Sequence, residues 1–582
     1  MMRTVLFSIA ATVSCWGQAG VNYSTTTFKI PMQDGIGLST NIFRPLGTGK
    51  LPTILVRTPY GKGMGLADGY RLFVQNGYAV IVQDVRGRHD SDGAFDSYNQ
   101  EEPDGEDTLN WIAKQGWSDG QVGMVGGSYL GIVQWKLALR NNPHLKAIFP
   151  IVSGNDDYRD RFYSRGGAFK VGNRLSWIAA NLRAPSTKPM DFAAYIRTLP
   201  LRIADVAATG QVSNLYYQPA MDHPTFDDFW MDKSVREHLD KMKIPVFSVG
   251  GWYDNFVEGD LEAFAQLRRA GKPAYSAIGP WPHNMSAVFE GVSFGGDAML
   301  PVSKLQLDWF NHWMKSPDSA RTNSKPFPGP KLRLFVMGRN RWREESDWPP
   351  KSARTTSFFL TSHKGANTAD GDGRLTMRTA SRDNSDNYEY DPANPVPTLG
   401  GAVCCSPAIF PWGPKDQRKV ESRQDVLVYS SEVLKKEVEV IGPVNVVLYV
   451  STTATDTDFM AKLVDVFPDG TARNLCDGML RMRYRASLRK AELTQPGKIY
   501  KIMIEAGVTS NLFLPGHRIR LEVSSSNFPR FDRNLNTGGS IVDESRMKTA
   551  QQRVYMGRNF PSAVLLSVVP GLASLTGKAS LP

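Results

Sequence analysis

The chain has 582 residues, 41% of them hydrophobic and 21% charged, a make-up that excludes fibrous and disordered classes and leaves room for two or three globular domains. Its net charge of +11 comes from scattered lysines and arginines, with no basic stripe interleaved with aromatics, so nucleic acid is not the expected partner. No segment reaches the run of about 18 apolar residues that a membrane span needs. No Cys/His group has zinc-ligand spacing, so no metal and no other cofactor is expected.

The N-terminus reads as a cleavable export signal over residues 1–19. Met1-Met2-Arg3 supplies the positive start, Thr4 to Trp16 is mostly apolar, and Gly17-Gln18-Ala19 offers small residues for cleavage. A secreted or periplasmic protein is expected. Three cysteines then remain, and in an oxidising compartment Cys404 or Cys405 could pair with Cys476, leaving one thiol spare.

From residue 20 to 152, strand and helix patterns alternate. Phe28-Lys-Ile and Leu38–Phe43 read as an antiparallel start, and Thr53–Arg57, Tyr78–Gln83 and Leu145–Val152 as short apolar strands of the buried kind. Leu66–Asn76 and Asp104–Lys114 have helical periodicity. Residues 153–241 are rich in Arg, Asp, Trp and Tyr with no convincing strand, which predicts a helical insertion. Residues 242–315 return to the sheet with Ile244–Val249, a helix near Glu258–Ala270, strand Ala274–Ile278 and helix Val302–Lys315. Ser316–Pro330 is a linker, and residues 331–582 change to many short strands separated by turns, beginning with Lys331–Val336. The expected fold is therefore α/β: a mostly parallel sheet covered by helices, a helical cap inserted into it, and a C-terminal β-sandwich of the jelly-roll type. Residues 361–424 carry too few strand signals to assign.

One stretch carries chemistry. Val122-Gly-Met-Val-Gly-Gly-Ser-Tyr-Leu-Gly131 reads as strand, sharp turn and helix with Ser128 at the apex, where its oxygen would project above the carboxyl edge of the sheet. Gly126 and Gly131 leave room for strand and helix to pass closely. The backbone N–H of Tyr129 would then lie at a helix N-terminus, suited to holding an oxyanion. A serine needs a base and a group that orients the base. In such sheets the order is Ser, acid, His, each after a strand. Val249-Gly-Gly-Trp-Tyr-Asp254 and Ile278-Gly-Pro-Trp-Pro-His283 supply Asp254 and His283 in those places.

Gly126-Gly-Ser-Tyr-Leu-Gly131, Gly250-Gly-Trp-Tyr-Asp254 and Gly279-Pro-Trp-Pro-His283 also resemble the motifs of the cocaine esterase / X-Pro dipeptidyl-peptidase family of serine hydrolases. Arg57-Thr-Pro-Tyr-Gly-Lys62 resembles its oxyanion-tyrosine loop, and Gln83–Arg88, Gly116–Gly120, Asp222–Asp227, Asp456–Phe459, Leu463–Gly470 and Arg481–Arg485 match further segments in order. The resemblance implies an α/β-hydrolase fold. It also implies Ser128 as nucleophile, His283 as base, Asp254 as its orienter, and Tyr60 beside the Tyr129 amide as oxyanion donor. The expected substrate is a small-molecule ester, less readily an amide, and the oligomeric state stays open, a homo-oligomer included. Trp252, Phe256, Trp281, Asp156 and Asp157 are candidates for the substrate pocket. The family's X-Pro dipeptidyl-peptidases, β-lactam acylases and α-amino acid ester hydrolases are the alternative activities. The last group grips a substrate ammonium with carboxylates just after the triad acid, where this chain has Asn255, Phe256 and Val257. An inactive carbohydrate- or surface-binding protein is the alternative of another class.

Overall fold

The computed structural model describes residues 22–47, 49–188, 190–315, 326–404 and 411–570, together with the backbone of Ser14 and Cys15. Most of the expected export signal, most of the linker and Cys405 lie outside the described residues.

The first half is built on one eleven-stranded sheet. Its strands are β1 (Ser14–Cys15), β2 (Tyr23–Pro31), β3 (Gly37–Pro45), β4 (Leu51–Thr58), β5 (Ala79–Asp84), β6 (Ser118–Gly127), β7 (Leu145–Ile151), β8 (Val246–Tyr253), β9 (Ala274–Pro282), β10 (Leu332–Val336) and β11 (Arg341–Glu345). The order is β1-β2-β3-β5-β4-β6-β7-β8-β9-β10-β11. Pairing is parallel from β5 through β10 and antiparallel at both margins. Helices cover both faces. Phe73, Trp309, Phe310 and Trp313 pack on one side, and Leu109, Val133, Trp135 and Leu137 on the other.

One strand is not where the sequence texture placed it. Leu332–Val336, expected to open the sandwich, pairs in parallel with β9 at Leu332↔Ser276 and Leu334↔Ile278. With β11 it forms a hairpin that covers what would otherwise be the open edge of β9.

Between β7 and β8 the chain leaves the sheet as a helical cap. It opens with a π-helical turn at Asp157–Phe162, and its longest helix is Val171–Asn181. The cap is sewn to the sandwich. Phe169 N–H donates to Asp532 Oδ1 at 2.7 Å, Gly172 N–H to Pro529 O at 2.8 Å, and Arg202 pairs with Asp543 at 2.6 Å. Gly166 approaches so closely that a Cβ there would lie 1.9 Å from Met479 O.

The sandwich strands run from β12 (Arg354–Thr361) to β22 (Ala563–Val569). Its longest strand, Val438–Thr452, pairs with Tyr500–Phe513 along one side and with Ala550–Met556 and β22 along the other. Val440, Val444, Val446 and Leu448 point inward from it, in the two-residue rhythm of a half-buried strand. The unassigned stretch at 361–424 holds two short strands, Arg374–Thr376 and Asn384–Tyr390, and the helical turn Arg418–Glu421. Cys476 is a free, buried thiol packed near Gly507, so the pairing that Cys404 or Cys405 could have made with it is not formed; Cys404 is itself disulfide-bonded.

Candidate active site

The turn after β6 is as tight as its glycines suggest. Ser128 takes φ 58° and ψ −125°, outside the ordinary regions for a residue with a side chain. Such a conformation persists only where neighbours enforce it, and here they leave no space. A Cβ on Gly126 would meet Leu130 Cβ at 2.4 Å, and one on Gly131 would meet Ser153 Cβ at 2.5 Å. Helix Tyr129–Ala138 starts at once. The Tyr129 N–H, first of that helix, has no acceptor among the described residues.

Asp254 lies one residue beyond β8 and His283 one residue beyond β9. Asp254 is fully buried; its Oδ1 is 2.6 Å from His283 Nδ1, and its Oδ2 accepts the Phe256 N–H at 2.8 Å. His283 Nε2 is 3.0 Å from Ser128 Oγ. With Nδ1 facing a carboxylate, the imidazole proton sits on Nδ1 and Nε2 is left to accept. The three loops thus join a hydroxyl, an imidazole and a carboxylate in one hydrogen-bonded line.

Tyr60 comes from the loop after β4. Lys62 N–H donates to Asp84 Oδ1 at 2.6 Å, and Arg88 Nε–H donates to Pro59 O at 3.1 Å, so both sides of the loop are pinned. Tyr60 keeps 40% of its surface open, but its hydroxyl end faces inward. It accepts the Trp177 indole N–H at 3.1 Å. Burial raises the phenol above its ordinary range, against smaller opposing contributions from hydrogen bonds with Trp177 and Ser128, so the group remains a proton donor across the neutral range.

A wall of stacked rings rises behind Tyr60. Trp177 stacks on Tyr216 with centroids 4.7 Å apart, on Tyr129 at 6.3 Å and on Phe95 at 6.4 Å. The Tyr129 hydroxyl donates to Glu101 Oε1 at 2.7 Å, which fixes the first residue of the helix from below. The sequence reading named none of Phe95, Trp177 or Tyr216. Their only signal was the Tyr and Trp content of the insertion, which has no period to assign faces.

The pocket candidates divide. Phe256 lies 5.8 Å from the His283 ring and so borders the site. Trp252 and Trp281 do not line it. Their indole N–H groups are anchored to Phe335 O at 2.7 Å and Ala298 O at 2.9 Å, and their rings pack on Trp348 and Trp342. Asp156 caps the π-helical turn and pairs with Arg159 at 2.6 Å. Asp157 bridges Lys136 at 2.7 Å and Arg161 at 3.0 Å. Both carboxylates are consumed inside the protein. Asn255, after the acid, is likewise engaged: its Oδ1 accepts from Asn173 and its Nδ2 donates to Asp160 O.

Two family models match the chain: the X-Pro dipeptidyl-peptidase (S15 family) model over residues 34–285, and the X-Pro dipeptidyl-peptidase C-terminal non-catalytic domain over 327–565. The chain is similar to the cocaine esterase of Rhodococcus sp. (strain MB1 Bresler), with 40% identity over 577 residues, covering 94% of this chain and 99% of that one. It superposes on an aminopeptidase from a marine sediment archaeon, Thaumarchaeota archaeon, with TM-score 0.82 and 27% identity over 94% of this chain and 97% of the other. An α-amino acid ester hydrolase gives TM-score 0.81 and 25% identity over 95% and 98% of the two chains.

Proposed function

Since the chain belongs to the cocaine esterase / X-Pro dipeptidyl-peptidase family of serine hydrolases, we propose that it is an exported esterase working through a Ser128 acyl-enzyme. The observation that carries this reading is the continuous line from Ser128 Oγ through His283 to the buried Asp254.

In the proposed cycle, Ser128 Oγ attacks the ester carbonyl while His283 Nε2 takes its proton. Asp254 holds Nδ1–H and stabilises the imidazolium that forms. The tetrahedral oxyanion rests between the Tyr60 hydroxyl and the Tyr129 N–H, two donors placed before the charge appears. Collapse expels the alkoxide, which receives the proton from His283. Water then repeats the sequence on the acyl-enzyme, and the acid leaves with Ser128 restored.

Ester cleavage is favoured over reactions that need a substrate ammonium. Such a substrate requires an unspent carboxylate, and Asp156, Asp157 and the Asn255 position offer none. The Asp160 oxygens are taken by the Asn155 and Asp156 amides and by Arg165. The signal-like start supports export, and amino-terminal sequencing of the exported protein should begin near residue 20.

A fluorophosphonate probe tests the nucleophile. Wild type should label and Ser128→Ala should not; equal labelling of the two rejects the reading. Comparing p-nitrophenyl esters with X-Pro anilides tests the reaction class, and a clear preference for the anilides would reverse it.

A further inference from the structure

A cavity of about 410 Å³ opens at the seam between the two halves, a volume in the range of small-ligand sites. None of Ser128, Tyr60, Asp254 or His283 lines it. The sheet half contributes Tyr253, residues 291–294 beyond the histidine, and Asn340 from the turn between β10 and β11. The sandwich contributes Asp465, Phe467, Arg473, Asn511 and His517.

Their contacts arrange these groups around one space. Arg473 Nη2–H donates to Gly291 O at 2.9 Å, and Asn340 Nδ2–H to Ser293 O at 3.4 Å, two carbonyls of one short segment. The Arg473 guanidinium carbon lies 5.9 Å from the centre of the Phe467 ring, and the His517 ring centre 4.5 Å from it. His517 Nδ1 meets Asp465 Oδ1 at 2.8 Å, and Asn511 Nδ2 reaches Asp465 Oδ2 at 3.4 Å.

What these contacts leave unspent defines a ligand. Arg473 has no carboxylate partner among the described residues, because Asp465 is taken by His517 and Asn511. Asp469, exposed at the rim, accepts the Thr471 N–H of its own turn. The open part of the Arg473 fork suits a carboxylate, held by charge-assisted bonds. Three acceptors are also unmet among the described residues. Asn340 Oδ1 is buried without a donor. His517, with its proton on Nδ1, leaves the Nε2 lone pair free. Asn511 spends its Nδ2 and receives nothing at Oδ1. His517 and Asn511 are 6% and 3% exposed, and both line the cavity. Unmet acceptors in such an enclosed place are unfavourable until donors reach them.

We propose that this seam cavity binds a small polyhydroxy carboxylate, a sugar acid in size and kind. Its carboxylate lies on Arg473, and its hydroxyls donate to His517 Nε2, Asn340 Oδ1 and Asn511 Oδ1. One molecule then supplies both the anion and the donors that the cavity lacks. The site is separate from the Ser128 line and does not rest on the hydrolase reading.

Calorimetry with glucuronate, galacturonate and gluconate tests it, with glucose and hexanoate as partial ligands. Glucose lacks the carboxylate, and hexanoate lacks the hydroxyls. Wild type should bind at least one sugar acid in the millimolar range, about tenfold or more tightly than either partial ligand. Arg473→Gln should erase the advantage over glucose, and Arg473→Lys should keep part of it. Asn340→Gly suits the positive φ of that turn, 54°, and removes the amide, so it should narrow the advantage over hexanoate. The bound sugar acid should not compete with a p-nitrophenyl ester for turnover. The assignment is wrong if no sugar acid binds in that range, if glucose or hexanoate binds as well, or if Arg473→Gln and Asn340→Gly leave binding unchanged. Competitive inhibition of ester cleavage would also overturn it, by placing the ligand at Ser128. Circular dichroism checks that the variants fold; where one does not, the wild-type ligand series and the remaining variants decide.

Discussion

Two histidine–aspartate pairs sit in opposite halves of the molecule and look nearly alike. His283 Nδ1 meets Asp254 at 2.6 Å in the sheet half, and His517 Nδ1 meets Asp465 at 2.8 Å in the sandwich. A third pair, His223 with Asp227 at 2.6 Å, lies in the cap. The distance therefore distinguishes nothing. What differs is the other ring nitrogen. In the first pair it faces a serine held at φ 58°. In the second, the ring lies tilted against Phe467 with centroids 4.5 Å apart, and no hydroxyl meets it among the described residues. An oriented imidazole becomes a base only where a strained turn delivers a nucleophile to it.

The comparison can be broken most severely at the serine. Ser128→Ala or His283→Ala should lower kcat for a p-nitrophenyl ester by about 10⁴–10⁶. Asp254→Asn, which keeps the shape but spoils the tautomer, should cost about 10⁴. Tyr60→Phe should preserve the fold and lower kcat by about 10²–10³, because one of two oxyanion donors is lost. Unchanged turnover would remove Tyr60 from the cycle. In the other half, Asp465→Asn should leave kcat/KM within about twofold and lower unfolding stability by about 1–3 kcal/mol, read by urea titration. A catalytic loss there would erase the distinction between the pairs.

The smallest effect concerns pH. Burial raises Glu421, beside Glu522 and Arg520 in the sandwich, from the ordinary 4.5 to about 7. The folded state thus holds this proton more tightly than the unfolded chain. Its contribution is complete below the unfolded value and is lost as pH rises toward 7. Glu421→Gln should flatten the fall of stability between pH 4.5 and 7. An unaltered slope would place the proton elsewhere.

The hydrogen-bonded line from Ser128 through His283 to Asp254 was legible because its signals are local. Gly126 and Gly131 mark a steric necessity around Ser128, and Asp254 and His283 each follow an apolar strand. The wall of Phe95, Trp177 and Tyr216 was not legible, because its rings come from separate segments and meet only in the folded cap. For the same reason Trp252 and Trp281 were misjudged. Adjacency to Asp254 and His283 along the chain placed them near the site, whereas their indole N–H groups are tied to Phe335 O and Ala298 O and their rings pack on Trp348 and Trp342. Strand β10 was assigned to the wrong half because a five-residue apolar run does not say which sheet it joins.

That strand decides where the protein could be divided. The Pro- and Ser-containing run at 316–330 looks like the natural place to separate the halves for recombinant production. A fragment ending there would carry β9 as a bare, apolar edge, ready to pair with its own copies. A fragment continuing through Glu345 would keep its hairpin, so the boundary that protects β9 falls some fifteen residues past the run that invites it.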